Sequence, residues 1–276
     1  MITIGLNSSC LQKHNNTSIR EIVEFVLEHG FKGVEFRDEY PFCENLTNEE
    51  IEWVRNTVKS FGLICSVHLP YYDLNLSAFR DELRLAAVHC ILKSVRAAHR
   101  IGARTVTIHS GSMRRNYYAD NWEERAEKLT NESLRVIVNE CEQYGITLLI
   151  ENMNVFKKEV HRVHATPASM LNTLKVLDGK IGFTYDIAHA VSTSIDPVTF
   201  VETLGSDKIY LAHLNDNDLK SDQHLAVGDG KIDYRSFMKA YIDRGWKFPL
   251  FCESQRAESA LASKVYLQKI IEEYGA

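Results

Sequence analysis

Hydrophobic and polar positions recur along this chain in one repeated phrase. An amphipathic stretch with apolar residues at three- and four-residue spacing ends in a glycine, and a short apolar run then closes on a polar residue, as in HGFKGVEFR, IGARTVTIH and YGITLLIE. The glycine fits the left-handed position that ends a helix, and the apolar run is typical of a strand buried on both faces. With the opening ITIGLN, the pattern predicts eight strands: 2–6, 33–36, 64–68, 105–109, 146–151, 181–186, 209–214 and 249–253.

The order of these elements predicts the fold. Strands and helices alternate, which makes the strands parallel, and eight strands close a (β/α)₈ barrel, the TIM-barrel fold of the α/β class. An open doubly wound sheet is the alternative, but no glycine-rich phosphate loop follows the first predicted strand. No linker divides the 276 residues, so we expect one domain over 1–276. The longest irregular stretches, 110–121, 152–166 and 215–232, follow strands, where barrel loops carry function.

Composition narrows the class of protein. With 45% hydrophobic and 25% charged residues the chain is an ordinary globular protein, and its net charge of −5 supplies no overall basic field for nucleic acid. The 6 cysteines are scattered without a close pair, as expected for reduced thiols in a cytoplasm. The start, MITIGLNSS, does not resemble a signal peptide, and no apolar run is long enough for a membrane helix. We therefore expect a cytoplasmic protein without a membrane partner, and an oligomer is compatible with the sequence.

Side chains that can ligate a metal end six consecutive predicted strands. A single buried histidine or glutamate is more often a structural group with satisfied hydrogen bonds. In a barrel, however, the strand ends converge, and three converging carboxylates would repel one another unless a cation kept them ionised. The sequence therefore predicts a divalent-metal site formed by His68, His109, Glu151, Asp186, His213 and Glu253.

Three further residues extend this set. His189 stands three positions after Asp186, one helical turn onward, and Asp222 and His224 lie in the loop after the strand 209–214. Nine nitrogen and oxygen ligands exceed what one ion accepts, so two or three ions are expected if all nine bind metal, and one if the extra imidazoles bind the substrate instead. Because no thiolate belongs to the set, it suits Zn²⁺ or Mn²⁺, with Fe²⁺, Mg²⁺ and Co²⁺ as further candidates.

Several phrases resemble the xylose isomerase-like barrels over essentially the whole chain: VHLPYYDLNLS, TVTIHSGS, LLIENMN, IGFTYDIAHA, LAHLNDND, DQHLAVGDGKIDY and FCES. That family includes sugar isomerases and epimerases, inositol-catabolism enzymes and the DNA-repair nuclease endonuclease IV. The resemblance implies that His189 is the substrate-binding imidazole of the sugar epimerases and that their four-residue metal core is Glu151, Asp186, His213 and Glu253. It also implies a counterpart for each of the nine ligands that hold three zinc ions in endonuclease IV: His68, His109, Glu151, Asp186, His189, His213, Asp222, His224 and Glu253.

Departures from these relatives bear on the substrate. The ketose 3-epimerases have a Glu shortly after the position of Glu151 and an Arg shortly after that of His213, where this chain has Lys157 and Leu219. The DNA-gripping phrases of endonuclease IV are not recognisable in GLNSSCLQKH, GFTYDIAHA and HLNDND. Neither the precise 3-epimerase activity nor DNA binding is therefore implied by the recognition loops.

Candidate substrate-binding residues lie at the predicted mouth of the barrel. Asn7, Glu35 and Arg37, near the ends of the first two strands, are expected to face the pocket, together with His189. Aromatic side chains could stack on a sugar ring or a base, or could equally pack between loops: Tyr71, Tyr72 and Trp122.

Two mouth loops are locally basic and could bind a phosphate group, or could be ordinary solvated charge. The first holds Arg114 and Arg115 beside Tyr117 and Tyr118. The second holds Lys157, Lys158, His161, Arg162 and His164.

Two mechanisms fit these residues. In the first, a metal on the four-ligand core polarises a carbonyl of a small sugar or sugar phosphate while Glu151 and Glu253 move a proton through an enediolate, giving isomerisation or epimerisation. In the second, two or three ions cleave a phosphodiester, and only then is DNA the partner. The ligand count favours hydrolysis, whereas the missing DNA-binding phrases and the acidic charge favour the sugar reaction, our first hypothesis. A non-catalytic binding protein is a distant third.

Overall fold

Eight strands form a closed parallel barrel, as predicted. A computed structural model describes residues 2–12, 17–39, 43–115 and 120–275. The barrel strands follow one another around the ring in the order β1, β2, β3, β4, β6, β8, β9, β10 and back to β1, and every neighbouring pair is parallel. They are β1 (Ile4–Asn7), β2 (Gly33–Arg37), β3 (Ile64–His68), β4 (Thr105–Ile108), β6 (Thr147–Glu151), β8 (Ile181–Asp186), β9 (Ile209–Leu214) and β10 (Leu250–Cys252).

Closure of this ring excludes the open doubly wound sheet. The first strand, β1, pairs with both β2 and the last strand, β10, with Leu6 opposite Val34 on one side and Ile4 opposite Leu250 on the other. Predicted and observed strand ends differ by at most two residues, because the apolar runs that mark the strands are short and sharply bounded.

Helices cover the outside of the barrel between successive strands. Two predicted glycine stops are confirmed, because Gly62 and Gly102 follow α2 and α3 with φ of 60° and 88°. Within the described residues, no helix is both long and apolar enough to cross a membrane. The helices are α1 (Ile19–Glu28), α2 (Asn48–Phe61), α3 (Asp81–Ile101), α4 (Trp122–Gln143), α5 (Pro167–Val176), α6 (Ile187–Ala190), α7 (Pro197–Leu204), α8 (Tyr234–Asp243) and α9 (Ala257–Glu273).

Side chains inside the barrel form layers, because alternate residues of each strand point inward. An apolar floor contains Leu149, Leu211 and Phe251. The Phe251 ring fits because a Cβ on Gly5, its neighbour on β1, would lie only 2.6 Å from the ring. A buried polar layer consists of Glu35, Ser66, Thr107 and Thr184 on other strands of the barrel. Two residues further along the strands lie the residues of the predicted metal site: Glu151, His213 and Glu253 follow the apolar floor, and His68, His109 and Asp186 follow the polar layer.

A small antiparallel ribbon at the mouth was missed by the sequence pattern. It pairs β5 (Ser112–Arg114) with β7 (Val160–Arg162), inside the two stretches 110–121 and 152–166 that were expected to be irregular. Each strand is three residues long and largely polar, so neither has the apolar run that identifies a strand. The ribbon forms because barrel closure brings the two loops side by side.

Candidate metal centre

The nine predicted ligands converge at the carboxyl ends of the barrel strands and fall into three groups of potential ligand atoms, each within 4.8 Å of one another. The first group contains His68, His109 and Glu151. The central group contains Glu151, Asp186, His213 and Glu253. The outer group contains His189, Asp222 and His224.

Glu151 is shared by the first and central groups. Its Oε2 lies 3.2 Å from Nε2 of both His68 and His109, and its Oε1 lies 3.3 Å from Nδ1 of His189 and 3.4 Å from Nδ1 of His213. The side chain is 1% exposed. One buried carboxylate thus divides its two oxygens between adjacent sites, which is the arrangement of a bridging ligand.

The central group is the best fit to a cation. Nδ1 of His213 lies 3.4 Å from Oε2 of Glu253, and neither of these buried atoms has a hydrogen-bond partner in the part of the chain that the structure describes. Asp186 is fully buried at the same place. Buried polar atoms without partners are costly, so an imidazole nitrogen and carboxylate oxygens facing one another suit a divalent ion that accepts N and O ligands.

The outer group is less buried. Nε2 of His189 lies 3.3 Å from Oδ2 of Asp222, and Nε2 of His224 lies 3.4 Å from Oδ1 of the same carboxylate. The Asp222 side chain is 29% exposed and that of His224 is 25% exposed. This site is therefore open to the solvent at the mouth.

Backbone carbonyls fix the orientation of two ligand imidazoles. Nδ1 of His68 lies 3.0 Å from the carbonyl oxygen of Leu69, and Nδ1 of His189 lies 2.8 Å from that of Asn152. A carbonyl only accepts, so each Nδ1 carries the proton, and in the neutral ring Nε2 keeps its lone pair. That lone pair faces a carboxylate oxygen in both cases, which is favourable when a proton or a metal ion lies between them.

The charges of the centre depend on one another. Burial opposes ionisation of Glu151, yet His109 and His213 hold its pKa well below the usual value. Burial has a stronger effect on Asp186 than the nearby imidazoles have. Burial and the negative charge of Glu151 raise the pKa of Asp186 to about 6, although His189 lowers it. Protons on the imidazoles thus balance the carboxylates, and a bound divalent ion would displace them.

Glu35 lies beneath this centre, not at its open surface. The carboxylate is completely buried in the polar layer, and its Oε2 lies 2.5 Å from Nε2 of His213. Burial disfavours the ionised carboxylate of Glu35. The charge of His213 and the hydrogen bonds from His213 and Thr107 favour it more strongly, and they lower its pKa to about 2. Asn7 donates to the same carboxylate over 2.8 Å. Glu35 thus contacts His213 from inside the barrel and Asn7 contacts Glu35, and binding of a substrate by these two residues stays a prediction.

A family model of xylose isomerase-like TIM barrels matches residues 23–270. The chain belongs to this family. Among solved structures, a D-tagatose 3-epimerase-like protein superposes with a TM-score of 0.85 and 26% identity, over 99% of this chain and 98% of that one. An uncharacterised protein of Methanocaldococcus jannaschii is 28% identical over 264 residues, 92% of this chain and 85% of the relative. A probable endonuclease 4 of Thermoplasma volcanium is 28% identical over 203 residues, 68% of this chain and 66% of the relative.

Arg37 and Tyr71 of this xylose isomerase-like barrel lie beside the first group. Arg37 donates from Nη2 to the Tyr71 hydroxyl over 2.8 Å, and the Tyr71 ring stacks on that of His109 with centroids 4.1 Å apart. The Arg37 guanidinium also lies 5.0 Å from the Tyr72 ring. These residues border the ligand groups, and their contact with a substrate stays a prediction.

The two basic loops meet at the β5–β7 ribbon. Arg114, Arg115 and Lys157 are exposed at or beside the β5–β7 ribbon, and Arg115 lies 3.4 Å from Glu123. Phosphate binding by these residues stays a prediction, and Tyr117 and Tyr118 fall outside the described residues.

His164 does not belong to the basic mouth, contrary to expectation. Its side chain is fully buried, and Nε2 lies 2.8 Å from the Thr173 hydroxyl on α5. Burial lowers the pKa of His164 to about 3, so it is a neutral core residue.

Trp122 packs edge-on against His161, with ring centroids 5.3 Å apart. This is the packing between loops that the sequence offered as the alternative to stacking on a substrate.

Two asparagines that contact the candidate ligand Asp186 were not predicted from the sequence. Asn152 follows Glu151 and exchanges two 2.8 Å hydrogen bonds with the backbone of Asp186, while Asn215 donates to Oδ2 of Asp186 over 3.1 Å. Both are fully buried. The available signal was an amide side chain just after a strand of apolar residues, in LLIEN and LAHLN. Such a residue must find buried partners, and here the partner is a candidate ligand.

Proposed function

We propose that this chain is a divalent-metal-dependent enzyme that isomerises or epimerises a small sugar or sugar phosphate. The observation that carries the proposal is the pair of carboxylates at the central group, where Glu151 and Glu253 each place an oxygen 3.4 Å from Nδ1 of His213. Two carboxylates around one cation site are the groups needed to move a proton between adjacent carbons. The similarity to a D-tagatose 3-epimerase-like protein over 99% of the chain supports the same class of substrate.

The residues of the candidate metal centre would have three roles: holding the ion, moving a proton and contacting the substrate. Glu151, Asp186, His213 and Glu253 would hold the ion, which supplies charge stabilisation to substrate oxygens. Among the described residues, Oε2 of Glu253 makes no hydrogen bond and its nearest imidazole, that of His213, lies 3.4 Å away, whereas Oε2 of Glu151 lies 3.2 Å from two imidazoles. Glu253 is therefore the freer proton acceptor for a carbon next to a carbonyl, and Glu151 lies near enough to return a proton. His189, with Nδ1 directed at the Asn152 carbonyl, turns Nε2 to the outer group, where it would contact a substrate oxygen directly or through an ion held there.

The test is Glu253→Gln, assayed with Mn²⁺ or Zn²⁺ on a panel of ketoses, aldoses and their phosphates. Loss of the transferred proton's acceptor should lower kcat about 10²–10⁴-fold. Exchange of substrate carbon-bound hydrogen with deuterated water should fall in parallel. Glu24→Gln on the exposed face of α1 is the control and should keep full activity. Failure of the wild-type protein to turn over or exchange hydrogen with any of these sugars would contradict the proposal.

Phosphodiester hydrolysis is the second candidate, and one observation favours it specifically. Three ligand groups lie together, with Glu151 between two of them, and adjacent ions can stabilise both the attacking and the leaving oxygen. The 28% identity to a probable endonuclease 4 agrees with this chemistry. The net charge of −5 and the absence of recognisable DNA-gripping phrases weigh against DNA as the partner.

His109→Ala separates the two candidates, because His109 belongs to the first group only. A multi-ion hydrolase should lose cleavage of an abasic-site duplex completely, whereas an isomerase that works on the ion of the central group should only be weakened. Nicking of that duplex by catalytic amounts of wild-type protein, with sugars untouched, would replace the first proposal with the second.

A further inference from the structure

The outer group depends on a loop that lacks regular secondary structure. Asp222 and His224 both lie in the segment 215–232 between β9 and α8, which contains no helix or strand. His189, the third member, stands on the short helix α6 directly after β8. Two ligands of the outer group therefore need some other feature to hold them in place.

Asp216 supplies that feature from a completely buried position at the base of the loop. Its Oδ1 accepts the backbone N–H groups of Asn217 over 2.8 Å and of Ile232 over 3.1 Å, and its Oδ2 accepts that of Gly228 over 3.0 Å. The backbone of Asp216 also pairs with Leu225 in both directions, at 3.0 and 2.9 Å. One residue thus ties together the beginning, middle and end of the loop.

The backbone around this residue leaves little freedom. His224, next to Leu225, has a φ of 48°, a left-handed conformation that a histidine keeps only where its surroundings impose it. Gly230 packs so closely that a Cβ there would lie 2.3 Å from Oδ1 of Asp216 and 2.5 Å from the Asn217 carbonyl. The loop therefore packs tightly around this carboxylate, and Gly230 leaves room for it.

We propose that Asp216 is a positioning residue for the outer group and holds Asp222 and His224 where a divalent ion can join them to His189. The inference rests on the metal centre of the proposed function. Asp216 is not itself a ligand, because its oxygens are taken up by backbone N–H groups. The first and central groups are built on or directly beside barrel strands, so their ions do not require this loop.

Zinc titration of metal-free protein against a chelating dye tests the inference. The wild type should bind three ions, and Asp216→Asn should weaken one of them about 10–100-fold while leaving the other two at wild-type affinity. The amide turns a donor toward one of the backbone N–H groups, so the loop loses a hydrogen bond without losing volume. Asp218→Asn is the matched control, because half-buried Asp218 accepts the N–H groups of Lys220 and Ser221 in the same loop. It should bind all three ions normally.

Two further variants keep the test decisive. His224→Ala removes the outer ion directly, and adding Asp216→Asn to it should cause no further loss of zinc. Gly230→Ala, which pushes against Asp216 from the other side, should reproduce the selective loss even if Asp216→Asn does not fold.

Four outcomes would overturn the inference. If Asp216→Asn binds three ions at wild-type affinity, the carboxylate does not position the outer ligands. If all ions bind equally weakly, Asp216 has only a general structural role. A wild type whose zinc count is unchanged by His224→Ala would show that the outer group holds no ion, leaving the proposed function intact. A wild type that binds no zinc or manganese at all would overturn the proposed function as well.

Discussion

A histidine at the candidate metal centre is held in its orientation by the groups that its two ring nitrogens face. His213 shows this best, because one ring nitrogen faces the Glu35 carboxylate at 2.5 Å and the other faces two carboxylates at the candidate ion site. A carboxylate behind a ligand imidazole fixes the ring and raises its basicity as a ligand. Burial of both groups makes this contact strong, because no water competes for it.

Glu35→Gln should therefore weaken the central ion. The amide keeps the size of the side chain but removes the negative charge behind His213, and loss of such a partner lowers metal affinity about 10–100-fold. Zinc competition with a chelator measures the change. Glu39→Gln is the comparison, since Glu39 accepts from the backbone of Tyr71 and, among the described residues, makes no hydrogen bond or ion pair with His213. Equal affinities in wild type and Glu35→Gln would show that Glu35 has no influence on the ion.

His164→Gln should make stability less sensitive to acid. In the folded protein burial lowers the pKa of His164 to about 3, while the unfolded chain takes up the proton near 6.5. The unfolded state therefore binds more protons between these values, and wild-type stability falls as the pH drops from about 6.5 toward 3. Between pH 7 and 5 this loss amounts to about 2 kcal/mol from this one residue.

Urea unfolding at pH 7 and pH 5, in EDTA, measures the difference. Glutamine can still reach Thr173 but cannot be protonated, so the variant should lose less stability than the wild type over this range. His89→Gln, exposed on α3, should behave as the wild type does. A wild type and a His164→Gln variant with the same pH dependence would refute the explanation.

Among the elements, β1 and β2 pack around a large side chain of β10 because each of them has a glycine beside it. Gly5 on β1 lies directly across from Phe251 on β10, and Gly33 on β2 lies against the same ring. The ring occupies the space that two side chains would otherwise fill. The floor of the barrel is thereby closed beneath the polar layer that supports the metal centre.

Gly5→Ala should destabilise the barrel by about 1–3 kcal/mol, the usual cost of overpacking a filled core. The added Cβ would lie 2.6–2.8 Å from three atoms of the Phe251 ring, which neighbouring strands hold in place. Denaturant unfolding measures the loss. Combining it with Phe251→Leu should recover part of the stability, so that the double variant is more stable than the two single losses predict. Strict additivity would show that the ring is not the obstacle.

The whole molecule carries concentrated negative charge at one end of its barrel. Glu151, Asp186 and Glu253 are all buried within a single group, together with His213. Keeping such carboxylates ionised without a cation costs free energy, so ion binding should be coupled to the stability of the entire fold.

Removal of metal by EDTA should lower the thermal midpoint. At a zinc concentration 100 times the dissociation constant, binding contributes about 2.7 kcal/mol, and for a chain of this size that corresponds to roughly 5–10 °C. Differential scanning fluorimetry with and without Zn²⁺ measures the shift. Glu151→Gln, which alters a residue shared by two groups, should show a much smaller zinc effect. Identical midpoints for the wild type in zinc and in EDTA would contradict a folded-state ion site.

The amino-acid sequence by itself determined the barrel and the identity of the residues that meet at its mouth. Apolar runs that follow helix-ending glycines such as Gly62 and Gly102 define the strands, and parallel strands in a ring bring their ends together. Only the tertiary structure decided that these residues form three groups, that Glu151 lies between two of them and that Glu35 supports His213. Those relations depend on distances between side chains from strands remote in sequence, which no local pattern encodes. The β5–β7 ribbon and the buried position of His164 likewise arise from contacts that exist only after the barrel has closed.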